Sequence, residues 1–312
     1  MRQAVDNGLV ALILSSVIWG LSPVYFKALA HVPAAEVMAH RTLWSFVFFG
    51  AVLVWQRRAG LVAALLRGKD AIWVLFCALS VSSNWLLYIH SVQTGRTVEA
   101  SLGYFIFPLI AVALGRVVFG ERARPWQVLA MVMATLGVAV QVWGLGALPW
   151  VALVLGTNFG IYGMIKKRLT AGAVVSVTAE VAVLVPFALL FLAGLHWGWW
   201  SLGREAGWFG RDTGTTLLLV LSGPLTAGPL ILFARAAQRV SLATVGLMQY
   251  LSPTLQFLVG ALFFGESFTM WHAASFALIW GALVVYSAEG LRHDKAARNR
   301  VSSVATSGTT AA

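Results

Sequence analysis

The 312-residue chain has very little cysteine and few charged side chains, and each shortage excludes a class of protein. Its one cysteine, Cys77, lies in an apolar run, so neither an internal disulfide nor a cysteine-ligated metal site can form. Only 11% of the residues are charged, whereas 59% are hydrophobic and the mean hydropathy is +0.82. A soluble protein of this length cannot bury so much apolar surface, so the composition indicates an exterior that faces lipid.

Acidic residues are the scarcer charged class, with 11 Asp and Glu against 22 Lys and Arg. The four aspartates are predicted to lie in loops or tails, and intramembrane aspartyl chemistry would need two carboxylates at depth. The sequence also lacks the His-Glu-x-x-His, nucleophile-elbow and Walker A patterns. We therefore expect no catalytic residues, no metal and no cofactor, and we do not expect an ATP-driven pump.

Long apolar runs are what the chain does have. A helix needs about 20 apolar residues to cross roughly 30 Å of hydrocarbon, and ten segments meet this requirement. They are 8–29, 34–55, 71–92, 98–119, 125–144, 148–166, 172–194, 214–235, 241–264 and 270–289. We predict an all-α polytopic membrane protein with ten transmembrane helices, followed by a polar, disordered cytoplasmic tail over 292–312.

The basic residues predict the orientation. They form short clusters between the apolar runs, which is the pattern of the positive-inside rule and not of a nucleic-acid-binding face. With the N-terminus inside, 17 Lys and Arg residues fall on the cytoplasmic side, four on the far side, and Arg41 within a span. We therefore predict that both termini are cytoplasmic, and the membrane that we expect is the inner membrane of a bacterial cell. The far side is called the predicted outer face below.

An internal repeat relates the two halves of the chain. The pattern Pro-x10-Phe-Gly-Glu-x4-Trp begins at Pro108 and again at Pro253, 145 residues later. A second match aligns Trp19-Gly20 with Phe159-Gly160. Each predicted repeat (1–145 and 146–291) holds five spans, and an odd number forces the second repeat to enter the membrane from the opposite side. Two inverted five-helix repeats are the arrangement that we expect.

Several motifs are typical of one family. They are Trp19-Gly20, His40-Arg41-x2-Trp44-Ser45, Asn84-Trp85-Leu86-Leu87, Glu99 to Tyr104-Phe105, Gly120-Glu121-Arg122, Gln249-Tyr250-x2-Pro253-Thr254 and Gly265-Glu266. Together they resemble the RarD-type permeases, within the EamA branch of the drug/metabolite transporter superfamily. The resemblance implies ten helices and export or permeation of small metabolites. Phe107 departs from the family's usual Asn before the proline, so specificity is expected to differ there.

The candidate substrate-binding residues are polar or aromatic groups at similar depths in different spans. They are Trp19, Arg41, Asn84, Trp85, Tyr88, Tyr104, Asn158, Tyr162, Gln249 and Tyr250. Amides and phenols cannot face lipid unsatisfied, so they either line a cavity or join helices by hydrogen bonds. Arg41 either lines the substrate path, where it would attract an anion, or reaches the interface or a helix end.

Three further residues are candidates for proton coupling. His40 adjoins Arg41 in the second span, and Glu180 occupies the position equivalent to His40 in the second repeat. Glu99 lies at the start of the fourth span. For Glu180 the alternative is a salt bridge to Arg41 or to an arginine at the cytoplasmic end, and for Glu99 it is a helix cap. Pro108 and Pro253 are candidate hinges, with simple helix curvature as the alternative.

Two functional hypotheses follow. The first is a secondary transporter of small organic metabolites or drugs that works by alternating access. Its partners would be a small-molecule solute and membrane lipid, without nucleic acid, and it would be a monomer or a homodimer. The second is a membrane-embedded enzyme acting on lipid-linked substrates, which would need His40, Arg41 and Glu180 to converge.

Overall fold

The structure is a computed structural model that describes residues 2–119, 125–166, 168–199, 202, 205–240 and 242–307. The regular secondary structure of these residues is entirely helical. The helices are α1 (Arg2–Ala28), α2 (Ala34–Trp55), α3 (Ala59–Arg67), α4 (Ala71–Gln93), α5 (Thr97–Phe119), α6 (Pro125–Leu145), α7 (Trp150–Lys166), α8 (Ala173–His196), α9 (Thr213–Ala237), α10 (Leu242–Met248), α11 (Leu251–Leu258) and α12 (Met270–Ser307), with a π-helical turn over Val259–Phe263.

Within the described residues, eight helices are long and apolar enough to cross a membrane. They are α1, α2, α4, α5, α6, α8, α9 and the Met270–Glu289 part of α12. Each lies within a few residues of a predicted span, so the prediction of an all-helical, multi-pass membrane protein is confirmed. The predicted sixth span forms the 17-residue helix α7.

The predicted ninth span, 241–264, is not one continuous helix, and this part of the prediction was wrong. It consists of α10, a turn at Gln249 and Tyr250, α11 and the π-helical turn. Pro253 explains the break, because its ring clashes with the carbonyl four residues earlier, which belongs to Gln249. Pro108, its counterpart in the repeat pattern, lies inside the unbroken helix α5.

Two segments differ from the loops and tail expected from the sequence. The short helix α3 occupies a predicted loop, and its Val62, Leu65 and Leu66 pack against the cluster around Cys77. Helix α12 continues to Ser307, past the predicted start of the tail, in a stretch rich in the helix formers alanine and arginine. The repeat and family residues 120–124, including Glu121, lie outside the described residues.

Close helix contacts hold the bundle together at glycines. Helix α5 packs on α7, where a Cβ atom on Gly103 would lie 2.8 Å from the carbonyl oxygen of Ala152. A Cβ atom on Gly156 would lie 2.9 Å from the carbonyl oxygen of Gly103. Such mutual approach requires glycine on both helices, as is common between membrane helices. The other main pairs are α6–α12, α1–α9, α2–α9, α2–α8, α4–α7 and α1–α11.

Five connections meet at one face of the bundle, the predicted outer face. Their described residues are 29–33, 94–96, 146–149, 197–199, 202, 205–212 and 264–269. The Gln93 side chain donates to the carbonyls of Leu29 and Val32 at 3.0 and 3.1 Å. Asp212 caps α9 by accepting the Thr215 N–H at 2.7 Å, and this bond lowers the pKa of its carboxyl group. The Gln93 side chain thus joins the end of α4 to the connection between α1 and α2, whereas the Asp212 bond stays within one helical turn.

Candidate functional site

A cavity of about 280 Å³ lies between α1, α2, α4, α5, α7, α9 and α11. Its volume is near the lower end of the roughly 300–1,000 Å³ usual for small-molecule sites. The nineteen lining residues are Trp19, Ser22, Tyr25, Phe26, Arg41, Trp85, Tyr88, Tyr104, Phe107, Phe159, Ser222, Leu225, Thr226, Leu230, Phe233, Gln249, Ser252, Pro253 and Gln256. Nine of the nineteen are therefore aromatic, and six others carry a hydroxyl or an amide group.

Arg41 is the charged side chain of this wall. It is only 8% exposed, and its guanidinium carbon lies 4.0 Å from the ring centre of Trp85 and 5.6 Å from that of Phe26. Its Nε atom donates to the hydroxyl of Thr226 at 2.9 Å, and that hydroxyl donates to the carbonyl of Ser222. No ion pair between described residues includes Arg41. Arg41 therefore faces the cavity and does not reach for a helix end.

Tyrosines surround the guanidinium and are held by their own hydrogen bonds. The Tyr25 hydroxyl donates to the carbonyl of Leu218 at 2.7 Å, and the Tyr88 hydroxyl lies 3.3 Å from that of Ser22. The Tyr104 hydroxyl donates to Asn84 at 3.0 Å. These bonds fix the orientation of the polar edge of the cavity.

Four of the predicted substrate-binding residues lie outside the lining, namely Asn84, Asn158, Tyr162 and Tyr250. Asn84 positions Tyr104 from behind and donates to the carbonyl of Leu155 at 2.9 Å. Asn158 bonds to the hydroxyls of two α4 serines, so it joins α7 to α4. Tyr250 lines a separate groove against α12. Hydrogen bonding between helices was the alternative interpretation, and for Asn84 and Asn158 it describes the contacts that they make.

The remaining six predicted binding residues do share the cavity: Trp19, Arg41, Trp85, Tyr88, Tyr104 and Gln249. Pro253, a predicted hinge, also lies in the wall. Phe107, the departure from the family pattern, faces the ring of Phe159 edge-on at 5.1 Å. A residue that the sequence analysis missed is Gln256, whose signal was an amide in an apolar run, one turn after Pro253.

The three candidates for proton coupling lie outside this lining. Glu180 is fully buried, forms an ion pair with Lys166, and accepts hydrogen bonds from Tyr162 and Ser176, each at 3.1 Å. A salt bridge of Glu180 was one of the predicted alternatives. The partner that the structure shows is Lys166 of α7, whereas the prediction named an arginine. His40 stacks on a phenylalanine of the loop before α9, and its buried Nδ1 atom has no hydrogen-bond partner among the described residues.

Three carboxylates at the predicted outer face bind backbone N–H groups that are distant in the sequence, and we call these three the outer clasp. Glu36 accepts from Gly207 and Trp208 at 2.8 and 2.6 Å. Glu99, the third coupling candidate, accepts from Val151 at 2.9 Å, at the start of α7. Glu266 accepts from the first two residues of α5 at 2.8 and 2.7 Å. Each bond joins a residue before position 146 to one after it.

The comparison with known proteins agrees with this architecture. The model of the EamA-like transporter family matches residues 6–143. An uncharacterized transporter of Pseudomonas aeruginosa is 42% identical over 287 residues, covering 92% of this chain and 95% of the relative. The chain belongs to the EamA-like transporter family. The RarD protein of Streptomyces exfoliatus is 41% identical, covering 92% of this chain and 90% of that one, so this EamA-like transporter is of the RarD type.

A solved crystal structure shares the fold of this EamA-like transporter. Its TM-score is 0.59 at 17% identity, and the match covers 94% of this chain and 99% of the other. Identity this low bears on the fold alone. Family and composition together establish a multi-pass membrane protein of a transporter family, and the resemblance deduced from the motifs is confirmed.

Proposed function

We propose that this protein is a secondary transporter that moves small organic solutes through the central cavity by alternating access. The observation that carries the proposal is the position of the cavity between two predicted halves. Its wall combines α1, α2, α4 and α5 of the first half with α7, α9 and α11 of the second. A solute bound there touches both halves, so a movement of one half against the other can expose it to either side.

The helix contacts support two inverted five-helix repeats. In such an arrangement α1, α2, α4, α5 and α6 correspond to α7, α8, α9, α10–α11 and α12. When each helix is replaced by its counterpart in the other repeat, one observed contact becomes another observed contact. In this way α1–α9 becomes α7–α4, α5–α7 becomes α11–α1, and α2–α9 becomes α8–α4. The contacts α2–α8, α5–α11 and α6–α12 each join a helix to its own counterpart, so the same replacement leaves them unchanged. We count α7 as the sixth span and α10–α11 with the π-helical turn as the ninth, with repeats at 1–145 and 146–291.

The outer clasp supports a conformation closed toward the predicted outer face. Each of its three carboxylates accepts a hydrogen bond from the other predicted half, so opening on this side has to break those hydrogen bonds. This interpretation depends on the predicted orientation, with both termini in the cytoplasm of a bacterial cell.

We further assign proton coupling to Glu180, because a chain of contacts joins it to the cavity. The Tyr162 hydroxyl donates to Glu180, and the Tyr162 ring stacks on Phe159 at 5.7 Å between ring centres. Phe159 lines the cavity. Protonation of Glu180 would weaken both the ion pair with Lys166 and this hydrogen bond, and would thereby free the cavity wall to move.

The test uses proteoliposomes that contain only this protein and are loaded with a small-molecule extract of bacterial cells. Mass spectrometry of the outer solution, against protein-free vesicles, identifies any solute that crosses. We expect specific solutes to emerge chemically unchanged. Solutes that are chemically converted without crossing would refute transport and favour the membrane-embedded enzyme. Cooperative unfolding on heating shows that the reconstituted protein is folded. If it is folded and every solute stays inside the vesicles, transport is refuted as well.

A further inference from the structure

The charge of the central cavity comes from one side chain. Arg41 is the only Lys, Arg, Asp, Glu or His among the nineteen lining residues. Removing a guanidinium from water without a counter-charge is costly, and a bound anion would supply that charge. Its Nε atom is already bonded to Thr226, whereas no hydrogen-bond partner among the described residues engages the two terminal nitrogens. A carboxylate can bridge those two nitrogens.

One cation also limits the charge of the ligand. A second negative group would enter this wall without a cationic partner, and the ammonium group of a zwitterion would meet aromatic rings and the Arg41 cation but no lining carboxylate. Dianions, cations and amino acids are therefore disfavoured relative to monoanions.

The remainder of the wall favours a flat apolar body. Trp19, Phe107, Phe159 and Phe233 line the cavity in addition to Trp85 beneath Arg41. Rings prefer edge-on or offset contacts with other rings, and Phe107 and Phe159 already stand perpendicular to each other. A volume of about 280 Å³ accommodates a small aromatic molecule.

Gln256 supplies a second polar contact. It is 5% exposed, and its Nε2 atom donates to the Trp19 carbonyl at 3.3 Å and to the Ser252 hydroxyl at 3.4 Å. Because the Trp19 carbonyl can only accept a hydrogen bond, the Gln256 atom that faces it is the amide nitrogen Nε2, and the oxygen Oε1 points the other way. The Oε1 atom is buried and has no hydrogen-bond partner among the described residues. Buried acceptors are normally satisfied, so we expect the Gln256 side chain to turn Oε1 into the cavity that it lines when a ligand offers a hydroxyl or N–H group as the donor.

We propose that the transported solute is a small aromatic monoanion, with its carboxylate bound by Arg41 and a hydroxyl or N–H group donating to Gln256. This inference rests on the transport function proposed above and names the solute class for the same cavity.

The test compares matched probes that differ only in charge. The carboxylates are 4-hydroxybenzoate, 4-aminobenzoate and indole-3-acetate, each paired with its neutral amide. Binding to the purified protein is measured calorimetrically, and exchange of labelled carboxylate is measured in proteoliposomes. We expect at least one carboxylate to bind tenfold or more tightly than its amide. Tyrosine and the dianion isophthalate should bind no better than the amides.

Variants then assign the contacts. Arg41→Gln should remove the preference for carboxylate over amide, and Gln256→Leu should weaken binding of 4-hydroxybenzoate about tenfold while leaving benzoate unchanged. Arg168→Gln is the matched control, because its guanidinium lies 4.7 Å from the ring of Trp73, outside the cavity. It should behave like the unaltered protein.

The outcomes separate this inference from the function on which it rests. If the extract shows solutes crossing, yet every carboxylate binds no better than its amide, the solute class is wrong and transport stands. If no solute crosses, both are wrong. The comparison of carboxylate with amide needs only the unaltered protein, so it tests the solute class even if the Arg41 variant misfolds.

Discussion

Weakening the outer clasp should open the protein toward the predicted outer face. Glu266 is the best place to intervene, because its two oxygens accept the N–H groups of Thr97 and Val98 at 2.8 and 2.7 Å and so hold the start of α5. Glu266→Gln leaves one neutral acceptor oxygen in place of two charged ones. The amide nitrogen that replaces the second oxygen cannot accept a hydrogen bond.

The size of the effect follows from these two bonds. A hydrogen bond to a charged group contributes about 1.5–3 kcal/mol, and a neutral one about half as much. Replacing two charged bonds by one neutral bond, at a partly exposed site that water screens, should cost the closed state about 2 kcal/mol. Since about 1.4 kcal/mol corresponds to a factor of ten, the ratio of outward-open to closed protein should rise about 30-fold.

The assay measures access to the cavity from outside. Ser252, a lining residue, is replaced by cysteine in a Cys77→Ala background, and a membrane-impermeant maleimide is added to intact cells. The initial labelling rate should rise at least tenfold with Glu266→Gln. Glu205→Gln is the matched control, because Glu205 pairs with Arg211 within a single loop and bridges no halves. Labelling that is unchanged by Glu266→Gln, or that rises equally with the control, would contradict the clasp.

The remaining predictions concern packing, coupling and the cavity wall. Gly156→Ala should lower the free energy of unfolding by about 1–3 kcal/mol, since its Cβ atom would meet α5. Gly163→Ala is the control and should leave stability unchanged, because the space beside Gly163 is open. A loss of thermal stability in both variants would refute the packing argument. Glu180→Gln should abolish the dependence of transport on a pH gradient but leave solute binding intact; transport that still follows the gradient would remove Glu180 from coupling. Tyr104→Phe breaks the bond to Asn84 and should raise KM several-fold at similar kcat, and an unchanged KM would show that the Tyr104 orientation is unimportant.

The helical architecture could be predicted from the sequence because a membrane span is a property of a single run of residues. Its length and apolarity are set locally, and the eight apolar helices fall close to predicted spans. The break at Gln249 and Tyr250 could not be predicted in this way, because Pro253 permits it but Pro108, its counterpart in the repeat pattern, lies inside the unbroken helix α5. What the hydropathy of 241–264 concealed is that an apolar run need not be one helix.

The cavity could be predicted only in part, because depth in the membrane does not say which way a side chain faces. Arg41, Trp85 and Tyr88 have the expected depth and face the cavity. Asn158 and Tyr162 have the expected depth too, but they point at α4 and at Glu180. Helix rotation and neighbours decide that difference, and neither can be deduced from one helix alone.

The sequence by itself determined the class, the number of apolar runs and the family, since composition, charge clusters and motifs are properties of the chain read in order. The tertiary structure decided which groups meet. Glu266 reaches the start of α5 across 169 positions, and Arg41 reaches Thr226 across 185. Contacts at such separations depend on how helices pack against one another. For that reason the outer clasp, the Arg41 guanidinium without an ion-pair partner and the Gln256 oxygen without a hydrogen-bond partner, both judged over the described residues, could be seen only in the folded protein.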